Sequence, residues 1–167
     1  MLGAESTGKT TLAAALAAAY DTLWNPEYGR PYTEIGRDPA APWTSAEFTH
    51  IARITCWYED FLAAEARRVL FCDTDAFTTA VFHEVYLGTP PSAFADLVRR
   101  LYDLTIVCGL DVPWSHDSVR EFGEQRRWMH ERYVEHARDS GRPWILVEGS
   151  REQRLADARA AVDRLLA

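Results

Sequence analysis

The chain has 167 residues, 47% hydrophobic and 26% charged, the composition of one globular domain; disorder, collagen and coiled coil are excluded. Eighteen Lys and Arg against 25 Asp and Glu give a net charge of −7, which argues against nucleic acid as a partner, because a general nucleic-acid binder carries a basic footprint. No apolar run approaches the ~20 residues that span a bilayer, so no membrane role is expected, and the polar, glycine-rich stretch from Gly3 does not read as a signal peptide. Cys56, Cys72 and Cys108 share no metal-ligand spacing and read as small core hydrophobes of a reducing cytoplasm.

Gly3-Ala4-Glu5-Ser6-Thr7-Gly8-Lys9-Thr10 fits the phosphate-binding pattern G-x-x-x-x-G-K-[ST] at every position. Glycines let the backbone wrap a phosphate with its N–H groups inward, and the helix predicted over residues 10–20 adds its positive dipole end. Lys9 reaches the β- and γ-phosphates of ATP, and the Thr10 hydroxyl can ligate Mg²⁺. Lys9 is the only lysine in the chain; every other Lys/Arg position is arginine, so a compact point charge is kept here in place of a planar fork. The ATP-binding stretch is read as Gly3, Glu5, Ser6, Thr7, Gly8, Lys9, Thr10 and Thr11. A glycine-rich turn that caps an alanine-rich helix and binds nothing is the plain alternative. Only Met1 and Leu2 precede Gly3, where a buried strand of about five residues is expected. The first strand is therefore expected to be largely missing, with further residues upstream.

Residues 22–24 form a short strand candidate, closed by the Asn25-Pro26 turn. Residues 27–42 carry Gly29, Pro31, Gly36, Pro39 and Pro42 and read as loop with one helical turn. Thr44 and Glu47 resemble a capping box ahead of a long helix over 45–68. The apolar run 69–72 ends in Asp73, the pattern of a buried parallel strand. A helix over 76–87 stops at Gly88, a short helix covers 92–101, and 104–108 is the next strand. Residues 118–140 are charged and helical with a bend near Gly123, and 144–147 is the last strand. Ser150, with Gln153 three residues on, caps a final helix. The alternation predicts one α/β domain over residues 1–167: a parallel sheet, helices on both faces and a helical lid.

Ligands of such sheets gather at the carboxyl ends of the strands. The residues to inspect are therefore Glu27, Tyr28 and Arg30, then Asp73, Thr74 and Asp75, then Asp111, Pro113 and Trp114, then Glu148, Gly149 and Ser150. Glu27, Asp73 and Asp75 are expected to converge near the γ-phosphate and the metal, where a carboxylate can hold metal-bound water or accept a hydroxyl proton. Asp75 is equally placed to cap the following helix. Arg120 and Arg126 are candidates to neutralise a transferring phosphoryl group from the lid. Trp24, Tyr28, Trp57, Tyr58 and Trp114 are aromatic faces for a cationic ring, with Tyr28 or Trp114 preferred over the whole set.

Gly3–Leu12 resembles the phosphate loop of the NadR-type ribosylnicotinamide kinases. Pro26-Glu27-Tyr28-Gly29-Arg30 is similar to that family's Pro-Glu-Tyr-Ala-Arg segment, and Phe71-Cys72-Asp73-Thr74-Asp75 with Thr78-Thr79-Ala80-Val81 to its third-strand signature. Tyr102-Asp103-Leu104, Asp111-Val112-Pro113-Trp114, then Asp117, Arg120, Gly123, Arg126, Met129 and His130 resemble its fourth strand and lid. Glu148 to Arg154 resembles its closing turn and helix. Gly29, Pro31 and Thr55 depart from the family pattern, all on the presumed substrate side. The resemblance implies a cytoplasmic P-loop nucleoside kinase that uses ATP and Mg²⁺ to phosphorylate the 5′-hydroxyl of nicotinamide riboside in NAD salvage. Its implied catalytic residues are Lys9, Glu27, Asp73, Arg120 and Arg126. Thr10 and Asp73 hold the metal, Gly149 and Ser150 complete the ATP site, and Glu27, Tyr28, Arg30, Asp75 and Trp114 face the substrate. Another nucleoside or small-alcohol kinase and a non-catalytic ATP-binding regulatory module are the alternatives. Oligomeric state and a fused or upstream adenylyltransferase domain stay open.

Overall fold

The computed structural model describes residues 1–112 and 125–167. Trp24–Asn25 (β1) pairs in parallel with Phe71–Cys72 (β2), and Thr105–Cys108 (β3) with Trp144–Val147 (β4). Met1 and Leu2 join the two pairs. The Met1 amino group donates to the Cys72 carbonyl at 2.7 Å, and Thr74 N–H donates to the Met1 carbonyl at 3.1 Å. Leu2 N–H donates to the Ile106 carbonyl at 2.9 Å, and Cys108 N–H to the Leu2 carbonyl at 2.8 Å. The spatial order is thus β1, β2, Met1–Leu2, β3, β4, and the phosphate loop leaves from the middle of the sheet.

Lys9–Ala19 (α1) and Arg151–Leu166 (α6) cover one face. Leu12, Leu16, Phe71, Ile106, Val147, Ala158 and Val162 form the core there. Ala76–Leu87 (α4) and Arg126–Asp139 (α5) cover the other, where Leu2, Phe77, Val81, Val107, Met129 and Tyr133 pack. Ile106 and Val107 point into opposite layers, as the pleat of a strand buried on both faces requires. A fully buried Leu or Val contributes roughly 1.5–3 kcal/mol, so both layers hold the sheet. Ser45–Ala63 (α3) lies outside α4, packing Phe48, Ala52 and Cys56 on Ala76, Ala80 and Phe94. The three cysteines are buried and unpaired. Among the described residues no helix is long and apolar enough to cross a membrane. The result is a three-layer phosphate-loop α/β fold.

Local signals set most element ends. Thr44 and Glu47 make the reciprocal capping box of α3, Ser150 accepts from Gln153 N–H at 3.2 Å, and Gly88 closes α4 at φ 71°. Five elements differ from expectation, the simplest being β2, which keeps only Phe71–Cys72 of the expected 69–72, with Val69 N–H turned to the Arg67 carbonyl at 2.7 Å. β1 begins at Trp24 because Thr22 is tied elsewhere: its hydroxyl donates to the Val69 carbonyl and accepts from Arg67 N–H. α3 stops at Ala63, five residues early, since the chain must return to β2, with Arg68 at φ 62°. The 92–101 helix shrinks to a 3₁₀ turn, Leu97–Arg99, after which Arg100 is drawn to Glu59 and Asp60. The 27–42 loop holds a short helix, Gly29–Pro31 (α2), that widens into a π-helical turn over Tyr32–Gly36. The first part of the expected 118–140 helix lies outside the described residues.

Candidate active site

The phosphate loop connects Leu2 to α1. Gly8 caps α1 at φ 84° and Ser6 stands at φ 59°, conformations that curl the backbone. A Cβ on Gly3 would stand 2.7 Å from Thr7 Oγ1 and 3.1 Å from Cys108 Cβ, so only glycine fits where the chain leaves the sheet. The buried Thr7 hydroxyl donates to the Ala4 carbonyl at 2.8 Å, and Lys9 Nζ donates to the same oxygen at 3.1 Å. One carbonyl thereby pins the loop and parks the lysine over it. Glu5, Ser6, Thr7, Gly8, Lys9, Thr10 and Thr11 all line one cavity of about 570 Å³.

Two acids border that end of the sheet. Asp73, 1% exposed at the end of β2, accepts from the Thr10 hydroxyl at 2.5 Å through Oδ2. Its Oδ1 is buried with no hydrogen-bond partner among the described residues. An orphaned carboxylate oxygen beside a hydroxyl fits a hydrated Mg²⁺, a hard cation that takes oxygen ligands and keeps several waters. No cluster of three or more metal-ligating side chains occurs among the described residues, so these two donors fit a metal that arrives with a nucleotide. Glu27, half-buried after β1, lines the cavity with Lys9 and Thr10. Burial pushes its carboxyl above the usual range; Lys9 pulls it back and the Asp73 charge adds to the rise.

Asp75 takes the capping role the sequence offered as its alternative and does not line the cavity. It is the N-cap of α4, its Oδ1 accepting from Thr78 N–H at 2.8 Å and Thr78 Oγ1 at 3.2 Å, and Thr74, Thr78 and Thr79 line the cavity in its stead. Arg30 does line the cavity, paired with Glu34 at 3.2 Å. Tyr28 is not a lining residue; its hydroxyl meets His50 Nε2 at 3.1 Å. Trp57 and Tyr58 are exposed on α3, and Trp24 packs on the core. The aromatic wall is Trp43, Phe48, Phe82 and Tyr86, which sequence reasoning passed over. Trp43 stacks on Phe48 at 4.8 Å, and the Arg37 guanidinium lies 4.0 Å from its ring centre. Only the packing of α3 on α4 brings these rings together.

On the other flank, Gly149 N–H donates to Asp111 Oδ2 at 2.6 Å, and Ser150 caps α6. Neither Gly149 nor Ser150 lines the 570 Å³ cavity. Burial works against the Asp111 charge, yet the Gly149 amide and Arg154 hold its carboxyl below the usual range. Arg126 opens α5 and donates to the Val112 carbonyl at 3.0 Å, its Nε buried without a partner among the described residues. Burial lowers its pKa, and the charge of Glu5 in the phosphate loop opposes that. Arg120 and Trp114 lie outside the described residues.

The loop, the parallel sheet and the acids at its carboxyl edge define a phosphate-loop nucleotide-binding domain. The chain belongs to the AAA domain family, whose pattern matches residues 1–154. Within it the chain is of the NadR type. It is 33% identical over 153 residues to the trifunctional NAD biosynthesis/regulator protein NadR of Escherichia coli K12, covering 89% of this chain and 37% of that protein. The Salmonella typhimurium LT2 protein of the same name is 36% identical over 126 residues, 74% of this chain and 30% of its own. The chain therefore spans about a third of the length of these relatives. Crystal structures of NadR with NAD and AMP-PNP, and of NadR with NR, share the fold: both have a TM-score of 0.77 and cover 99% of this chain. Their identities are 21% and 23%, and the match covers 48% and 50% of those chains.

Proposed function

We propose that the domain is a nucleoside kinase that transfers the γ-phosphoryl group of ATP to the 5′-hydroxyl of nicotinamide riboside, giving nicotinamide mononucleotide and ADP. The observation that carries the reading is that Lys9, Thr10 and Glu27 line one cavity, with Asp73 hydrogen-bonded to Thr10. Phosphoryl transfer is mainly positioning and charge stabilisation, and these groups supply both. The loop N–H groups and Lys9 hold the β- and γ-phosphates. Thr10 and Asp73 would hold Mg²⁺, which neutralises phosphate charge when bound. Glu27 takes the 5′-hydroxyl proton as the acceptor oxygen bonds to the γ-phosphorus and the bond to the β-phosphate oxygen breaks. A base whose pKa is raised toward neutrality is suited to that proton. Arg126, on the first turn of α5, stabilises the charge on the moving group, a task for which the sequence also offers Arg120.

Gly149 and Ser150 sit on the side proposed for the base of ATP, and Arg30 and Thr55 on the side proposed for the acceptor. The NR complex of the structural neighbour and the NAD biosynthesis of the curated relatives support nicotinamide riboside as that acceptor. The test is a panel of nucleosides with ATP and Mg²⁺, read as ADP released and as mass of the product. Nicotinamide riboside is expected to give the fastest turnover. A pyrimidine nucleoside preferred over it would replace the acceptor, and nucleotide binding without turnover of any nucleoside would leave a regulatory module.

A further inference from the structure

Arg154 is 5% exposed, on the first turn of α6, and its buried charge calls for an explanation. Its helix face otherwise buries Ala158, Ala161 and Val162, so an arginine there needs acceptors within the fold. It finds three. Nη1 donates to the Thr7 carbonyl at 2.9 Å, Nε donates to the Gly149 carbonyl at 3.1 Å, and Nη2 pairs with Asp111 Oδ1. Thr7 is wholly buried and belongs to the phosphate loop, 147 residues away in sequence. Asp111 in turn accepts from Gly149 N–H at 2.6 Å. One planar guanidinium thus binds the carbonyl side of the phosphate loop to the turn that follows β4 and to the end of β3.

We propose that Arg154 is a positioning residue for nucleotide binding, which holds the phosphate loop in register with the Asp111–Gly149 turn. The inference rests on the nucleotide site of the reading above. It concerns the placement of the site and not the identity of the acceptor. A carbonyl fixed from behind leaves the loop's N–H groups facing inward before any phosphate arrives, and preorganisation of that kind strengthens binding. The fork geometry matters: lysine offers one point charge and cannot meet three separated acceptors in a plane.

The experiment measures Kd for a fluorescent ATP analogue with Mg²⁺ in the wild type, Arg154→Lys, Arg154→Gln and Asp111→Asn. Circular dichroism identifies a temperature at which each is folded, and KM for nicotinamide riboside is taken alongside. Both Arg154 variants are expected to weaken the nucleotide about tenfold or more, with lysine giving no rescue. Asp111→Asn, a milder change at a half-exposed side chain, is expected to weaken it in the same direction. The acceptor KM stays within about twofold of wild type. If the folded variants bind the nucleotide as tightly as wild type, Arg154 only anchors α6 and the inference falls. Should Arg154→Gln fail to fold, the Kd of Asp111→Asn decides on the same terms. A wild type that binds the nucleotide but does not phosphorylate nicotinamide riboside removes the proposed reaction and leaves the brace standing.

Discussion

The sheet has a cavity at each end, and the two are of similar size: about 570 Å³ at the carboxyl end and about 670 Å³ at the amino end, between Met1, Val69–Phe71, Leu104 and Leu165–Leu166. Their chemistry differs. At the carboxyl end, curled backbone, one lysine and three glutamates (Glu5, Glu27 and Glu34) face the same space, and an oxygen of Asp73, behind Thr10, has no partner among the described residues. At the amino end the walls are largely aliphatic, and the buried acid, Glu59, is already engaged. Tyr102 donates to both of its oxygens at 3.0 Å, and Arg100 Nε pairs with it at 3.0 Å. Volume alone does not make a site. Polar groups that converge without satisfying one another do.

The largest effect is expected at Lys9. Lys9→Ala is expected to keep the fold and to cut phosphoryl transfer by ~10²–10³ or more, because the lysine is held by one loop carbonyl and serves the anion. Near-normal turnover would remove the distinction between the two ends. Next comes Glu27→Gln, expected to lower turnover ~10²–10⁴-fold without altering the Mg²⁺ requirement. Asp73→Asn should shift that requirement to higher concentrations. A Mg²⁺ titration of both variants checks the assignment, and the opposite pattern exchanges the two roles. The pH profile adds a signature. Burial raises the Glu27 carboxyl, and the base works only when deprotonated, so kcat should fall on acidification at a pH above the ordinary carboxylate range. That limb should vanish in Glu27→Gln.

Smaller effects belong to the amino end and to the cap. Burial and the Asp75 charge push the Glu59 carboxyl up to about 7, against the opposing pull of Arg100 and Tyr102. The folded state then holds a proton that the unfolded chain has released above its ordinary value near 4.5. Stability is therefore full below that value and declines as pH rises to about 7, by on the order of 1–3 kcal/mol. Denaturant melts of wild type and Glu59→Gln across this range check it; the variant should show less of the slope. Asp75→Ala should cost about 1 kcal/mol as a lost N-cap, with KM for the nucleoside unchanged. A raised KM would return Asp75 to the substrate.

What could be read from the sequence was what is local. The phosphate loop, the Thr44–Glu47 box and the Ser150 cap each depend on residues within one or two turns, so spacing alone reveals them. Asp73 was legible because an acid directly after a buried strand has few other places to be. Trp43, Phe48 and Tyr86 were not, because their juxtaposition depends on how α3 meets α4. Tyr28 comes shortly after β1, where ligands gather, yet its ring turns to His50, Tyr32 and Tyr58. The π-helical turn has no propensity signature. Arg154 did carry a signal: an arginine on the alanine stripe of α6, at the helix spacing of Ala158 and Val162, announces buried acceptors.

The proposed reaction moves a phosphoryl group from ATP to a nucleoside hydroxyl at the carboxyl-end cavity. A single-turnover rapid-quench experiment with γ-³²P-labelled ATP, excess enzyme and nicotinamide riboside tests it most directly. Label is expected on the 5′-oxygen of the nucleoside, formed in step with ADP in the wild type and lost in Lys9→Ala. Label that stays on ATP, or that appears only as inorganic phosphate while the nucleoside remains unmodified, would contradict it.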